Sequence, residues 1–292
     1  MLTTTAHPRS PTSVAYRELP VRPNDQGKWG VNTGCKTCAM AGLCTPGAID
    51  TLARGRLDNV VQCVRTVHRG HPLYRLGDPF RSIYAIRTGS FKTMVMHREG
   101  REQVIGFGIV GDTLGIDGIA SGTHSCEAIA LEDSSVCVMP FDVLEMLCRE
   151  VKAIQHHVHQ MLGAEIVRES ALMTLLGTTT AEERVAAFIA DLSRRWQARG
   201  YSAAAFTLKM TRGEIGSYLG LKLETVSRML SKLQGRRLIE VHGKDLRILD
   251  IDRLRKPAPD DLMSAFEFNR APAGIRVTRH ETRVSESQPG GH

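Results

Sequence analysis

Apolar positions along this chain follow two rhythms, and the change of rhythm divides it. From about Gly70 to Pro140, short β-rich runs alternate with turn residues. They are Ser82–Arg87, Phe91–Met96, Gln103–Phe107, Glu127–Leu131 and Val136–Met139, with Gly89 and Gly100 among the breaks. Many short strands separated by turn signals predict a sandwich or roll. On either side the period lengthens to that of a helix. Ile49, Leu52, Leu57, Val60, Val61 and Val64 leave one broad apolar face, so 48–67 is expected to be helical, Cys63 included. After the strands, 142–177 reads as one long helix. Its residues Val158, Leu162, Ile166, Glu169, Met173 and Leu176 fall at steps of three and four, the seam of two paired helices. Glu169 is the charge within that seam. In a two-fold dimer it approaches its own mate, and the repulsion makes pairing marginal.

Helical periodicity is predicted to continue over 178–205, most clearly in Ala181–Leu192, until Arg199-Gly200 closes it. Thr211 and Glu214 then have the spacing of a capping box, opening a short helix to Leu219. Gly220-Leu221-Lys222 makes a turn. A second helix over Leu223–Leu233 turns Val226, Met229, Leu230 and Leu233 inward. Two short helices about a glycine turn form a helix-turn-helix. Leu238–Leu249 reads as a β-hairpin wing after it. The outward residues of the second helix are Glu224, Thr225, Ser227 and Arg228, with Lys232 one turn on. Carboxylate, hydroxyl and guanidinium groups are the types that read base edges, and lysine suits phosphate.

Composition sharpens this picture. The chain has 292 residues, room for more than one domain, and a formal charge of +7. Residues 206–250 hold nine Lys/Arg against five Asp/Glu, so more than half of the excess charge lies in the helix-turn-helix region, where DNA would sit. No apolar run is long enough to span a bilayer. Residues 1–34 are polar, contain Pro8, Pro11, Pro20 and Pro23, and carry no secretory signal; they are expected to form a flexible arm. Residues 251–292 mix charge with proline and glycine and are expected to be mostly disordered. These features point to a soluble, cytoplasmic protein whose thiols stay reduced.

Seven cysteines then matter as ligands rather than crosslinks. Cys35, Cys38 and Cys44 stand at spacing C-x2-C-x5-C, with small apolar filler between them. Thiolates select zinc, copper(I) or iron–sulfur clusters, and a closed site needs a fourth donor. Cys63, Cys126, Cys137 and Cys148 are the candidates. Spacing alone leaves an iron–sulfur cluster, a zinc knuckle and metal-free thiols open. Cys137 lies mid-strand between two valines, where packing in the core is its simplest role.

Leu73-Tyr74, Gly77-Asp78, Ser82–Gly89, Gly106-Phe107 and Gly111-Asp112 together resemble the β-roll of the CRP/FNR regulators. The three loop cysteines, and Ser135–Phe141 around Cys137, resemble the FNR (fumarate and nitrate reduction) branch. Glu224-Thr225-Val226-Ser227-Arg228 is similar to that branch's recognition motif Glu-x-x-Ser-Arg. The resemblance runs from about Cys35 to Asp250. It implies one oxygen-labile [4Fe–4S] cluster per subunit, held by Cys35, Cys38, Cys44 and Cys137. It also implies an acidic residue at Glu169 and a DNA target close to TTGAT-N4-ATCAA. The nucleotide-binding members carry a Gly-Glu pair and then an Arg-Ser/Thr-Ala run that clamps a cyclic phosphate. Here those places read Gly111-Asp112 and Thr123-His124-Ser125-Cys126, with no arginine between Arg101 and Arg149. A buried phosphate would lack its cation, so no cyclic nucleotide is expected.

The expectation is an α+β chain. A flexible arm (1–34) precedes the cluster loop and β-roll (35–144). A dimerisation helix (145–177), a winged helix-turn-helix (178–250) and a tail (251–292) follow. Its expected work is oxygen-responsive transcription regulation as a homodimer on double-stranded DNA, with RNA polymerase as a further partner and no membrane. The interface is expected at Val158, Leu162, Ile166, Glu169 and Met173. A zinc- or thiol-based redox regulator and a small-molecule-binding regulator are the alternative readings, and no catalytic constellation points to an enzyme.

Overall fold

A computed structural model describes residues 63–96 and 100–255. Eight strands come first: β1 (Cys63–Val67), β2 (Pro72–Tyr74), β3 (Ser82–Thr88), β4 (Ser90–Met96), β5 (Glu102–Ile109), β6 (Thr113–Leu114), β7 (Glu127–Ala130) and β8 (Ser134–Pro140). They form two antiparallel four-stranded sheets, ordered β1-β8-β3-β6 and β2-β7-β4-β5. Alternation along the strands sends Val67, Leu73, Ile86, Phe91, Ala128 and Val136 between the sheets. Each large side chain buried there contributes roughly 1.5–3 kcal/mol. Gly89 makes the β3–β4 turn at φ 85°, and a Cβ on it would lie 2.1 Å from Ser134 Oγ. Only glycine has both the backbone freedom and the space.

The roll is thus the expected one, with three strands that periodicity did not single out. β1 corrects a prediction: residues 63–67 are a strand paired with β8, not the end of a helix. Five residues of Val, Thr, Arg and Cys satisfy either pattern, and the free edge of β8 decides the outcome. The remainder of the expected helix, 48–62, lies outside the described residues, as do the arm and the loop holding Cys35, Cys38 and Cys44.

The expected long helix is two: α1 (Phe141–Glu150) and α2 (Lys152–Thr178), broken where Val151 takes an extended conformation at φ −125°, ψ 99°. The break lets α1 fold back on the outer face of the first sheet. Leu144 and Leu147 pack there with Ile83, Met139 and Ile154. α3 (Ala181–Ala198) follows a capping box between Thr180 and Glu183. It stops before Gly200, so the helical reading to 205 was too long; Ala205–Thr207 is β9. Then come α4 (Arg212–Leu219), α5 (Leu223–Gly235), β10 (Ile239–His242), β11 (Asp245–Ile248) and α6 (Ile251–Arg255). The short α6 corrects the reading of 251–255 as disordered. Leu254 is fully buried in the core that α3, α4 and α5 share. Among the described residues no helix is long and apolar enough to cross a membrane.

Candidate DNA-binding surface and sensor face

The expected capping box at Thr211 is present. Thr211 Oγ1 accepts from Glu214 N at 3.2 Å, and Glu214 Oε2 accepts from Thr211 N at 2.7 Å. Burial works against the Glu214 charge, but the Thr211 bonds and nearby Lys92 outweigh it and hold its carboxyl below the ordinary value. α4 ends at Gly220 in the left-handed region, φ 63°. The turn is tight: a Cβ on Gly216 would meet Leu221 O at 2.5 Å. That sharp corner sets α5 across α4.

On α5, Val226, Leu230 and Leu233 are buried and Met229 packs beside them. The opposite face therefore looks outward. Glu224 and Arg228 are exposed, with Thr225 and Ser227 at its margins. Arg228 Nη2 donates to Thr225 Oγ1 at 3.4 Å, a weak bond that leaves the guanidinium available. The wing is the β10–β11 hairpin, and β9 joins it as a third strand. Gln234 Oε1 accepts from Val241 N at 3.0 Å and ties the wing to the end of α5.

One charged residue of this surface was not singled out in sequence. Glu182, in the first turn of α3, pairs with Lys232 Nζ at 2.6 Å and also with Arg236. Its carboxylate thus faces two cations at the C-terminal end and cap of α5. No spacing signal links positions 182, 232 and 236, since the three meet only through the packing of α3 on α5.

The seam of α2 divides. Val158 packs within the chain against the α1 cluster. Leu162 is half-buried, and Ile166 and Met173 are 65 % and 67 % exposed with Glu169 exposed between them. Ala171 and Leu175 form the inward face of the same helix.

Cys137 sits at the centre of the first sheet, opposite Ala85 on β3 and Val64 on β1. Val136 faces the roll interior, so Cys137 faces outward with Met139, and it is half-buried. The simplest role for Cys137, packing in the core, does not apply: alternation puts its neighbour Val136 inside instead. Cys126 is the one inside, 3 % exposed. Burial first, then the charge of Asp117, pushes its thiol up to about 12. Among the described residues no three His, Cys, Asp or Glu side chains gather as a metal-binding group; Cys35, Cys38 and Cys44 lie outside them.

The Thr123–Cys126 segment has an occupant of its own. Asp117 Oδ2 accepts from Ser125 N at 2.8 Å and Cys126 N at 3.3 Å, and Oδ1 lies 3.3 Å from His124 Nδ1. His124 is buried and stacked on Tyr74, ring centroids 3.8 Å apart. An internal carboxylate thus takes up the Ser125 and Cys126 backbone donors.

A strand roll joined by a long helix to a winged helix-turn-helix defines a DNA-binding regulator. Residues 64–151 match the cyclic nucleotide-binding domain family, and 183–256 match the Crp-like helix-turn-helix domain. The chain is 39 % identical over 216 residues to Electron transport regulator A of Shewanella oneidensis, covering 74 % of this chain and 86 % of that protein. It is also 39 % identical over 224 residues to the Fumarate and nitrate reduction regulatory protein of Escherichia coli K12, covering 77 % and 90 %. The solved structure of FixK2 from Bradyrhizobium japonicum superposes with a TM-score of 0.62 at 29 % identity, covering 67 % of this chain and 96 % of that one. The chain belongs to the CRP/FNR family of transcription regulators, in its fumarate and nitrate reduction branch.

Proposed function

We propose that this regulator senses oxygen through one [4Fe–4S] cluster per subunit, held by Cys35, Cys38, Cys44 and Cys137. In this reading it binds a palindromic TTGAT-N4-ATCAA-like site as a homodimer when oxygen is absent. The names of its relatives support an anaerobic role. The observation that carries the ligand assignment is the outward, half-buried Cys137 on β8, set against a buried Cys126 whose thiol resists ionisation. A metal ligand must be a thiolate. The donor chemistry fits: Ala85 and Val64, the register partners of Cys137, are small and apolar, a dry shelf for a soft thiolate. When bound, such a cluster supplies an oxygen-labile crosslink between the cysteine loop and β8.

The chain's own residues supply the rest. Ile166 and Met173 offer apolar contact to a second α2, and Glu169 opposes it. Arg228 and Glu224 present base-reading groups, and Lys232 and Arg236 present phosphate-binding ones. Contact with RNA polymerase completes the reading as a transcription activator.

Iron and sulfide content and the visible spectrum of protein purified without air test the reading. Seven single Cys→Ser variants refine it. Cys35, Cys38, Cys44 and Cys137 are each expected to be required, and Cys63, Cys126 and Cys148 dispensable. Protein without iron overturns the reading. Loss on Cys126→Ser with retention on Cys137→Ser overturns the ligand assignment alone.

A further inference from the structure

The roll and the DNA-binding domain of one chain meet around a buried charge. Asp112 lies between β5 and β6, its side chain 4 % exposed. Arg195 and Arg199, both on the far side of the domain boundary, reach back to it. Arg195 Nη2 donates to Asp112 Oδ2 and to Phe107 O, the latter at 2.7 Å. Arg199 Nη2 donates to Asp112 Oδ1, and its Nε donates to Val110 O. The two guanidinium side chains are 6 % and 7 % exposed. Burial alone would raise the Asp112 pKa; Arg195, Arg199 and Arg168 reverse that and hold the carboxyl far below its ordinary range. Asp191 lies 3.6 Å from Arg195, and Glu165 pairs with Arg168 on α2 at 2.7 Å. Asp191 also pairs with Arg194 at 2.6 Å, so three carboxylates and four guanidinium groups, drawn from the roll, α2 and the stretch of α3 through its cap Arg199, meet there.

A second contact runs along β5, the edge of its sheet. Ser217 of α4 accepts from Val104 N at 2.8 Å, and Lys92 pairs with Glu214 at 2.9 Å. Phe107, Phe188 and Tyr218 close the space between, with ring centroids 5.2–5.9 Å apart. The docked domain still shows the outward face of α5, with Glu224 and Arg228 exposed. The contact therefore orients the DNA-binding face without covering it.

The same point is close to Cys137 through the backbone. Cys137 pairs with Ala85 on β3. The next residue, Ile86, donates to Asp112 O at 2.9 Å and accepts from Gly111 N at 2.9 Å. A shift of β8 reaches Asp112 across one strand pairing and one turn.

We propose that Asp112, Arg195 and Arg199 form an intrachain latch that fixes the DNA-binding domain on the roll, so that the state of the Cys137 strand sets operator affinity by a route separate from dimerisation. The latch itself rests on the observed contacts; its link to Cys137 rests on the proposed sensing role. Removing one partner of a buried charge cluster leaves the others uncompensated, so the cluster is either intact or open. An open latch frees two DNA-binding domains to tumble, and a palindrome requires both in register.

The test uses Asp112→Asn in the full chain. Amide hydrogen exchange over β5 and α4 is expected to quicken. Affinity for the full palindrome is expected to fall at least about fivefold, the lower end of ordinary intersite coupling, while affinity for a single half-site changes less. Should Asp112→Asn fail to fold, Ser217→Ala, a half-buried contact of the same interface, takes its place with the same readouts. Unchanged exchange and affinity, or equal losses on palindrome and half-site, would overturn the latch. Anaerobic operator titrations of Cys137→Ser, Asp112→Asn and the double variant then test the link. Non-additive losses are expected, and strict additivity overturns the link. If wild-type protein holds no iron, the sensing role fails while the exchange result for Asp112→Asn still stands or falls by itself.

Discussion

Glu182→Gln is expected to tighten binding to every DNA sequence and to steepen its dependence on salt. In the folded chain Glu182 faces two cations on the DNA-binding helix, Lys232 and Arg236, whose side chains are 49 % and 54 % exposed. The trio carries a net +1. A phosphate approaching those cations must share them with a fixed carboxylate and meets its repulsion. Replacing the carboxylate with the amide leaves the shape and raises the local charge to +2. One further neutralised phosphate per subunit steepens the slope of log affinity against log salt by about 0.9, so by about 2 for a dimer. Between 200 and 50 mM salt, that steepening alone makes the gain in affinity about tenfold larger than in wild type. Stability gives a control. Solvent-exposed ion pairs contribute about 0.2–1 kcal/mol each, so the melting temperature is expected to shift little. Titrations of an operator and a scrambled duplex at several salt concentrations measure the slopes. A slope unchanged or shallower than wild type, on both duplexes, would refute this reasoning and make Glu182 a residue that holds Lys232 and Arg236 in place for DNA.

Two other outcomes follow from the site as placed. Arg228→Ala is expected to lose roughly 1–3 kcal/mol and to relax discrimination at one base pair in each half-site; equal losses on all single-base operator variants would put Arg228 on the backbone. Glu169→Ala, between exposed Ile166 and Met173, removes a mutual repulsion and adds apolar contact. Sedimentation in air is expected to show more dimer than wild type, and an unchanged monomer would show that repulsion at this seam is not what opposes pairing.

The helix-turn-helix was legible because its signals are local. Thr211 and Glu214 cap within three residues, Gly220 must turn within one, and the buried positions of α5 repeat at helical spacing. The roll strands were legible for the same reason, from β3 to β5 and in β7 and β8. What sequence missed depends on partners distant along the chain. β1 is a strand because β8 offers it an edge. Val151 breaks the long helix so that α1 can cover Ile83, and no glycine or proline marks the place. β9 exists only because β11 accepts it. Which face of β8 turns inward was not legible, since Val136-Cys137-Val138 offers no alternation from which to choose.

The placement of Arg195 and Arg199 has the same character, and it bears on how a regulator of this shape transmits a signal. On helical spacing alone they are two charges one turn apart, as expected of a solvated face. In the fold they are buried against Asp112, with Glu165 and Arg168 beside them on α2. α2 therefore meets two charge balances, one at Glu169 facing outward and one at Glu165–Arg168 facing the latch. Burial raises the Glu165 pKa against the pull of Arg168. A movement of α2 on pairing would alter the surroundings of Arg168 and hence of Asp112. Dimerisation and domain docking then use two faces of one helix, so the latch, though reached from Cys137 through β3 without pairing, is not energetically independent of pairing.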